Sequence, residues 1–195
     1  MTDWTDKTWF EHCYHPHRDI LLDKIKAFNP KSVYEFGCGY GQNLYRIKKE
    51  LPDCRVVGSD TDKFRVETGL NRFTKEGVAV EMSIGNILTD TPDKKYDVVF
   101  TDAVFLMIEM DNDKLMEVMK KLLDMATKAL ILVEWHDDTS KFPGENTAQQ
   151  IRVVRNYKEI LLMLGIQRAD FQKTTQEDFP STPWEKWGYY MVIKK

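Results

Sequence analysis

Residues 34–43, "YEFGCGYGQN", place glycine at every second position of a short turn: Gly37, Gly39 and Gly41. An apolar run enters the turn and the amphipathic run "LYRIKKEL" leaves it, so it joins a strand to a helix. Glycine gives up more backbone entropy on folding than any other residue. An ordinary strand-to-helix connection needs one glycine, so three point to a turn shaped around a ligand. Gly37 permits the sharp turn, and Gly39 lets backbone approach that ligand with no Cβ in the way. A dinucleotide fingerprint reads G-x-G-x-x-G and aims a helix N-terminus at a pyrophosphate. Here the position of its third glycine is Gln42, and Glu35 stands two residues before the first glycine. An acidic group there repels a pyrophosphate and suits a cation, which disfavours a nicotinamide-dependent oxidoreductase.

Strand and helix patterns alternate on both sides of this turn. "RDILLDKIKAF" is amphipathic and is stopped by Asn29-Pro30, because the residue before a proline is steered away from the helical region. A strand over 32–36 leads into the turn, and a helix from Gly41 or Gln42 carries Leu44, Ile47 and Leu51 on one face. "CRVVGSD" reads as a second buried strand ending at Asp60. "TDKFRVETGLNRF" follows as a helix, with Asp60 or Thr61 as N-cap and Asp62 at the positive end of its dipole. "VAVEMSIGN" and "YDVVFTD" read as strands, "DNDKLMEVMKKLLDMA" as a helix, and "KALILVEW" as a strand apolar enough for the middle of a sheet. "NTAQQIRVVRNYKEILLML" reads as a helix closed by Gly165. "IQRADFQ" and "WGYYMVIKK" close the chain as strands. The alternation predicts a three-layer α/β fold whose sheet of about seven strands is mostly parallel. The segment between the last two strands is too short for a helical crossover, so the last strand runs antiparallel.

At 195 residues the chain suits one domain. We expect a single unit over 1–195, with 1–30 as an N-terminal lid and helix and 31–195 as the core. A net charge of −3 gives no global attraction to nucleic acid. No apolar run approaches the roughly 20 residues that span a bilayer. "MTDWTDKTWFEHCYHPH" lacks the apolar core of a signal peptide, so a cytoplasmic location is expected. Cys13, Cys38 and Cys54 show no paired-ligand spacing, and His12, His15 and His17 fit no standard metal pattern, so no metal is expected.

Glu35-Phe36-Gly37-Cys38-Gly39-Tyr40-Gly41 resembles the first motif of the class I S-adenosylmethionine-dependent methyltransferases: an acidic residue, any residue, then G-x-G-x-G. The order of elements, through the antiparallel last strand, is similar to that family along nearly the whole chain. The resemblance implies a Rossmann-like methyltransferase sandwich, S-adenosyl-L-methionine as methyl donor and S-adenosyl-L-homocysteine as product. It places the donor against Glu35, Gly37, Cys38, Gly39 and Gly41. Asp60 with Thr61, about 20 residues on, would serve the ribose hydroxyls. Asn86 would receive the adenine amine with Ile87 against the base, and Thr101, Asp102 and Ala103 would line the methionine end. Asp102 would touch the donor's amino group or the acceptor.

Many family members carry a histidine where this chain has Met107, and the N-P-P-Y or D-P-P-Y run of enzymes that methylate base amines is absent. His136, just after the fifth strand, is the expected general base, its ordinary pKa suiting proton uptake near neutrality. Trp9 and Tyr14 would cover the sulfonium, and "DFPSTPWEKW" would wall the acceptor site. The expected acceptor is a small molecule methylated at oxygen or nitrogen, with no membrane or nucleic-acid partner. A tRNA or protein methyltransferase, and a methyltransferase-like domain that binds without catalysis, remain the alternatives.

Overall fold

Two helices, α1 (Asp6–Cys13) and α2 (Pro16–Lys26), precede the first strand in a computed structural model that describes residues 6–90, 94–140, 145–147, 152–180 and 182–195. Residues 1–5 of the expected lid lie outside the described residues. The core then runs β1 (Ser32–Phe36), α3 (Gln42–Glu50), β2 (Arg55–Asp60), α4 (Lys63–Glu76), β3 (Glu81–Ile84) and β4 (Tyr96–Asp102). A single 3-10 turn, Phe105–Met107, leads to α5 (Asn112–Met125) and β5 (Ala126–Trp135). There follow β6 (Glu145–Thr147), β7 (Arg152–Val154), α6 (Tyr157–Met163), β8 (Asp170–Lys173), α7 (Thr182–Trp187) and β9 (Gly188–Lys194).

Seven strands form one sheet in the order β3-β2-β1-β4-β5-β9-β8. β3, β2, β1, β4 and β5 are mutually parallel, and β9 runs antiparallel to both β5 and β8. The three-layer architecture and the reversed last strand expected from the alternation are both present. Strand order reverses between β1 and β4, which opens a crevice at their carboxyl ends.

Period-two alternation sorts the strand residues into two cores. Val33, Val98, Phe100, Ile131 and Val133 face α1 to α3, together with Trp9, Leu21, Ile25 and Leu44. Tyr34, Val99, Leu130 and Leu132 face the other way, onto Leu115, Met119 and Leu122 of α5 and Ile160 of α6. Each fully buried aliphatic side chain contributes about 1.5–3 kcal/mol relative to exposure.

Two local expectations are corrected. The helix expected over 146–164 is confined to Tyr157–Met163, while Arg152–Val154 pairs with Glu145–Thr147 as a hairpin; residues 148–151 lie outside the described residues. Adjacent β-branched valines favour the strand, and a bridge between Arg155 and His136 ties it to the end of β5. Asn156 caps the shortened helix by accepting from the Glu159 amide. Gly165 ends it as expected, at φ 77°, with Gly165 N donating to Leu162 O and Ile166 N to Leu161 O, a Schellman pair. The N-cap of α4 is Asp62, not Asp60 or Thr61, and its carboxylate accepts from Phe64 N and Arg65 N.

Candidate cofactor site

Gly37, Gly39 and Gly41 all have positive φ (71°, 54° and 78°), the left-handed region that glycine enters without strain. Their surroundings differ. A Cβ on Gly37 would lie 2.4 Å from a Val104 methyl carbon, whereas one on Gly39 would meet nothing within 4 Å. Gly39 thus presents bare backbone to open space. Its amide is held by Asp60, whose Oδ2 accepts from Gly39 N (2.8 Å) while Oδ1 accepts from Asp62 N (2.9 Å).

That space is a cavity of about 490 Å³ at the carboxyl ends of β1 and β4. Glu35, Gly37, Cys38, Gly39 and Asp102 line it, and so do Arg18, Asn43 and Arg65, which the sequence reasoning did not single out. Asn43 Nδ2 donates to Glu35 Oε1 (2.7 Å) and to Asp102 Oδ2 (3.0 Å), joining the two strand ends. Arg18 donates to Asn43 Oδ1 and stands 3.5 Å from Asp102 Oδ2. His17 Nε2 is 3.2 Å from the same Asp102 oxygen, and His17 Nδ1 is 2.7 Å from His15 Nδ1. Glu35 Oε2 is fully buried and takes no hydrogen bond among the described residues.

The two carboxyls are tuned in opposite directions. Burial pushes Glu35 up to about 8, against the Asn43 hydrogen bond and with the help of the Asp102 charge. Burial alone would also raise Asp102. His17, Arg18 and the Asn43 amide outweigh it and hold Asp102 well below the usual carboxylate range.

The remaining expected residues border the cavity or lie away from it. Gly41 packs under it, where a Cβ would sit 2.5 Å from Phe73. Thr61 is exposed next to Asp60. Asn86 closes the turn after β3, its Oδ1 accepting from Leu88 N (2.9 Å), and Ile87 is buried beside it. Trp9 is wholly inside the core, its ring against Tyr45 and Phe73, so it does not face the cavity; Tyr14 is half exposed beside Arg46. "DFPSTPWEKW" is largely helical, with Phe179 stacked on Trp184 at 4.2 Å; Ser181 lies outside the described residues.

Thr101 points to the opposite face of β4, where its hydroxyl donates to Glu134 Oε1 (2.9 Å). The buried Glu134 carboxylate also accepts from Val104 N (2.9 Å), Phe105 N (3.1 Å) and Leu106 N (3.1 Å), although burial pushes its pKa up to about 7. Buried Arg155 grips the same turn from its carbonyls, donating to Phe105 O (2.5 Å) and Ile108 O (2.6 Å). His136 shares the Glu134 face and is 2% exposed, packed against Tyr157, Phe171 and Tyr189. Its Nδ1 stands 3.1 Å from Tyr157 N and 3.2 Å from Arg155 O, and Nε2 stands 3.0 Å from Asp138 Oδ1. The expected base therefore lies outside the cavity lining, with its Nδ1 turned to the backbone at the start of α6.

Similarity to known proteins agrees with the fold. A malonyl-[acyl-carrier protein] O-methyltransferase of Ilyobacter polytropus is 29% identical over 117 residues, 55% of this chain and 41% of that protein. A trans-aconitate 2-methyltransferase of Rhodopseudomonas palustris is 30% identical over 108 residues, 54% of this chain and 40% of that one. This chain thus spans less than half the length of either relative. In structure, magnesium protoporphyrin IX methyltransferase from Synechocystis, solved with bound S-adenosylhomocysteine, superposes with a TM-score of 0.69 at 14% identity, covering 100% of this chain and 90% of that one. TehB from Haemophilus influenzae superposes with a TM-score of 0.67 at 14% identity, over 91% of this chain and 62% of that one. Residues 29–191 match the family model described as a methyltransferase domain, and the chain belongs to that family.

Proposed function

We propose that the chain binds S-adenosylmethionine in this cavity and transfers its methyl group to oxygen or nitrogen of a small molecule. The observation that carries the reading is Glu35 Oε2, buried and unpartnered at the edge of a 490 Å³ cavity that Arg18 also lines. A buried acceptor without a donor is costly, so the site suits a ligand that brings a cation. The donor's amino-acid end is a zwitterion. Its ammonium suits Glu35 and its carboxylate suits Arg18. Gly39 offers open backbone to the sugar end. The Asp60 carboxylate has lone pairs left for ribose hydroxyls beyond the two amides it accepts. Asn86 and Ile87 would meet the adenine, with Thr61 beside the ribose.

When bound, the sulfonium supplies an activated methyl group, so the protein's main task is to align donor and acceptor. Asp102 and Asn43 fix the strand ends on which that alignment depends. The Glu134–Arg155 grip fixes the turn after β4, next to the methionine end.

Calorimetry tests the reading. Both S-adenosylmethionine and S-adenosylhomocysteine should bind saturably at one site, and NAD should not. Saturable NAD binding without either sulfur ligand would overturn it.

A further inference from the structure

Trp9 does not face the cavity, yet it is bonded to the turn that lines it. An indole nitrogen only donates, and Trp9 Nε1 donates to Tyr40 O at 3.3 Å. Tyr40 stands between Gly39 and Gly41, and both Tyr40 and Gly39 line the cavity. The Tyr40–Gly41 peptide is thereby held at both ends, because its N–H, on Gly41, donates to Cys38 O (2.8 Å). Gly41 has no Cβ and sits at positive φ, so sterics put little limit on the direction of this peptide, and the two hydrogen bonds set it. α4 comes up against the same carbonyl: a Cβ on Gly69 would lie 2.8 Å from Tyr40 O.

The Trp9 ring is itself locked. It is wholly buried and set edge-on against Phe10 (5.1 Å), Tyr45 (5.0 Å) and Phe73 (6.3 Å). Phe73 is the ring that a Cβ on Gly41 would strike. α1 thus reaches the turn twice, through the N–H at Tyr40 O and through Phe73 beneath Gly41. Packing alone would be served by phenylalanine. The indole adds one donor, and that donor is spent on a carbonyl of the ligand-lining turn.

We propose that Trp9 is a positioning residue of the cofactor site: its N–H fixes the Tyr40–Gly41 peptide, and with it the Gly39 backbone, so that donor affinity depends on α1 being docked. The proposal rests on the methyl-donor reading for the ligand. It goes beyond that reading by placing a determinant of affinity on a helix ahead of the first strand, in a side chain that touches no ligand atom. The physical ground is pre-organisation. A turn already held in its binding form has less conformational freedom to lose when the ligand arrives. Without the N–H, the peptide samples other directions, and the apparent affinity falls with the fraction of chains in the competent form.

Calorimetry with S-adenosylhomocysteine on the full chain tests this, at a temperature where every variant is folded. Trp9→Phe keeps a ring and removes the donor, so Kd should rise about 3- to 10-fold, the worth of one neutral hydrogen bond. Phe10→Leu thins the same aromatic cluster and leaves the N–H. Its Tm should fall while its Kd stays within about twofold of wild type. An unchanged Kd in Trp9→Phe would overturn the proposal. An equal loss of affinity in both variants would overturn it too, since packing alone would then shape the turn. Nitrogen NMR on the wild type needs no variant to fold. The Trp9 indole signal, identified by its contacts to Tyr45 and Phe73, should move as S-adenosylhomocysteine saturates the site. An indole signal that stays in place while the Gly39 amide moves would overturn the proposal with the donor reading intact. Failure of the wild type to bind S-adenosylhomocysteine would instead remove the donor reading, and the proposal with it.

Discussion

Glu35 and Asp102 share Asn43 yet are held in opposite protonation states, and this sets the pH behaviour of the cavity. Glu35 is raised in the folded chain to about 8. In the empty protein its ionisation is therefore resisted by the fold but not by the unfolded chain. Stability should fall as pH climbs from the ordinary carboxylate value toward 8. Glu35→Gln escapes that loss. Its Tm should match wild type near pH 4 and exceed it by about 5–10 °C at pH 8, as calorimetry would show. The same substitution should weaken S-adenosylhomocysteine binding roughly 10–150-fold, the worth of a charge-assisted hydrogen bond. Binding by wild type at pH 7 should release about one proton from Glu35, read from binding heats in buffers of different ionisation enthalpy. Asp102 has the reverse sign. Its pKa is depressed by His17 and Arg18, so its contribution is present above the ordinary carboxylate value and is lost as pH falls below it.

Two loops hold these residues, and they should fail differently. Gly39→Ala meets no atom, so it should cost only the strain of φ 54°, about 1 kcal/mol, while placing a methyl where the ligand approaches. Gly41→Ala drives a Cβ to 2.5 Å from Phe73 and should cost more stability than affinity. Paired melting and binding curves separate the two. In the turn after β4, Glu134→Gln replaces an acceptor-only group that faces three amides and a hydroxyl. Tm should drop by about 5–10 °C. Combining it with Arg155→Met should be less than additive, because both residues hold the same turn. The glycine turn was legible in the sequence because its spacing is local. The place of His136 was not. Asp102 pairs with Val133, so Glu134 lies on the other face, and with it His136 two residues on. That parity depends on register between β4 and β5, which neither strand states alone. The helix expected over 146–164 failed for a related reason. Val154, Tyr157 and Leu161 stand at helical spacing, and it is the pairing of Arg152–Val154 with Glu145–Thr147, with the bridge from Arg155 to His136, that makes the start of this run a strand.

The sheet order was legible as alternation plus one short final connection, and it fixes where the cavity lies. The partners of Asp102 were hidden, because His17 and Asp102 are 85 residues apart in sequence and meet only in the folded chain. Leu21, Leu22 and Ile25 anchor α2 in the core, while Arg18 at its first turn lines the cavity and His17 beside it meets Asp102. The helix is thus fixed along its length, with its ligand-facing arginine at one end. Filling the site at 100 times Kd should add about 2.7 kcal/mol to global stability and raise Tm by about 5–10 °C. Beyond that shared increment, local opening at the α1–α2 junction should be suppressed, because a bound ligand shares Arg18 with it. Hydrogen exchange should then show amides between Cys13 and Leu21 slowed more than those of β8 and β9, which make no part of the cavity lining. Equal slowing throughout would mean that the junction does not sense the ligand, and Arg18 would lose its place in the site.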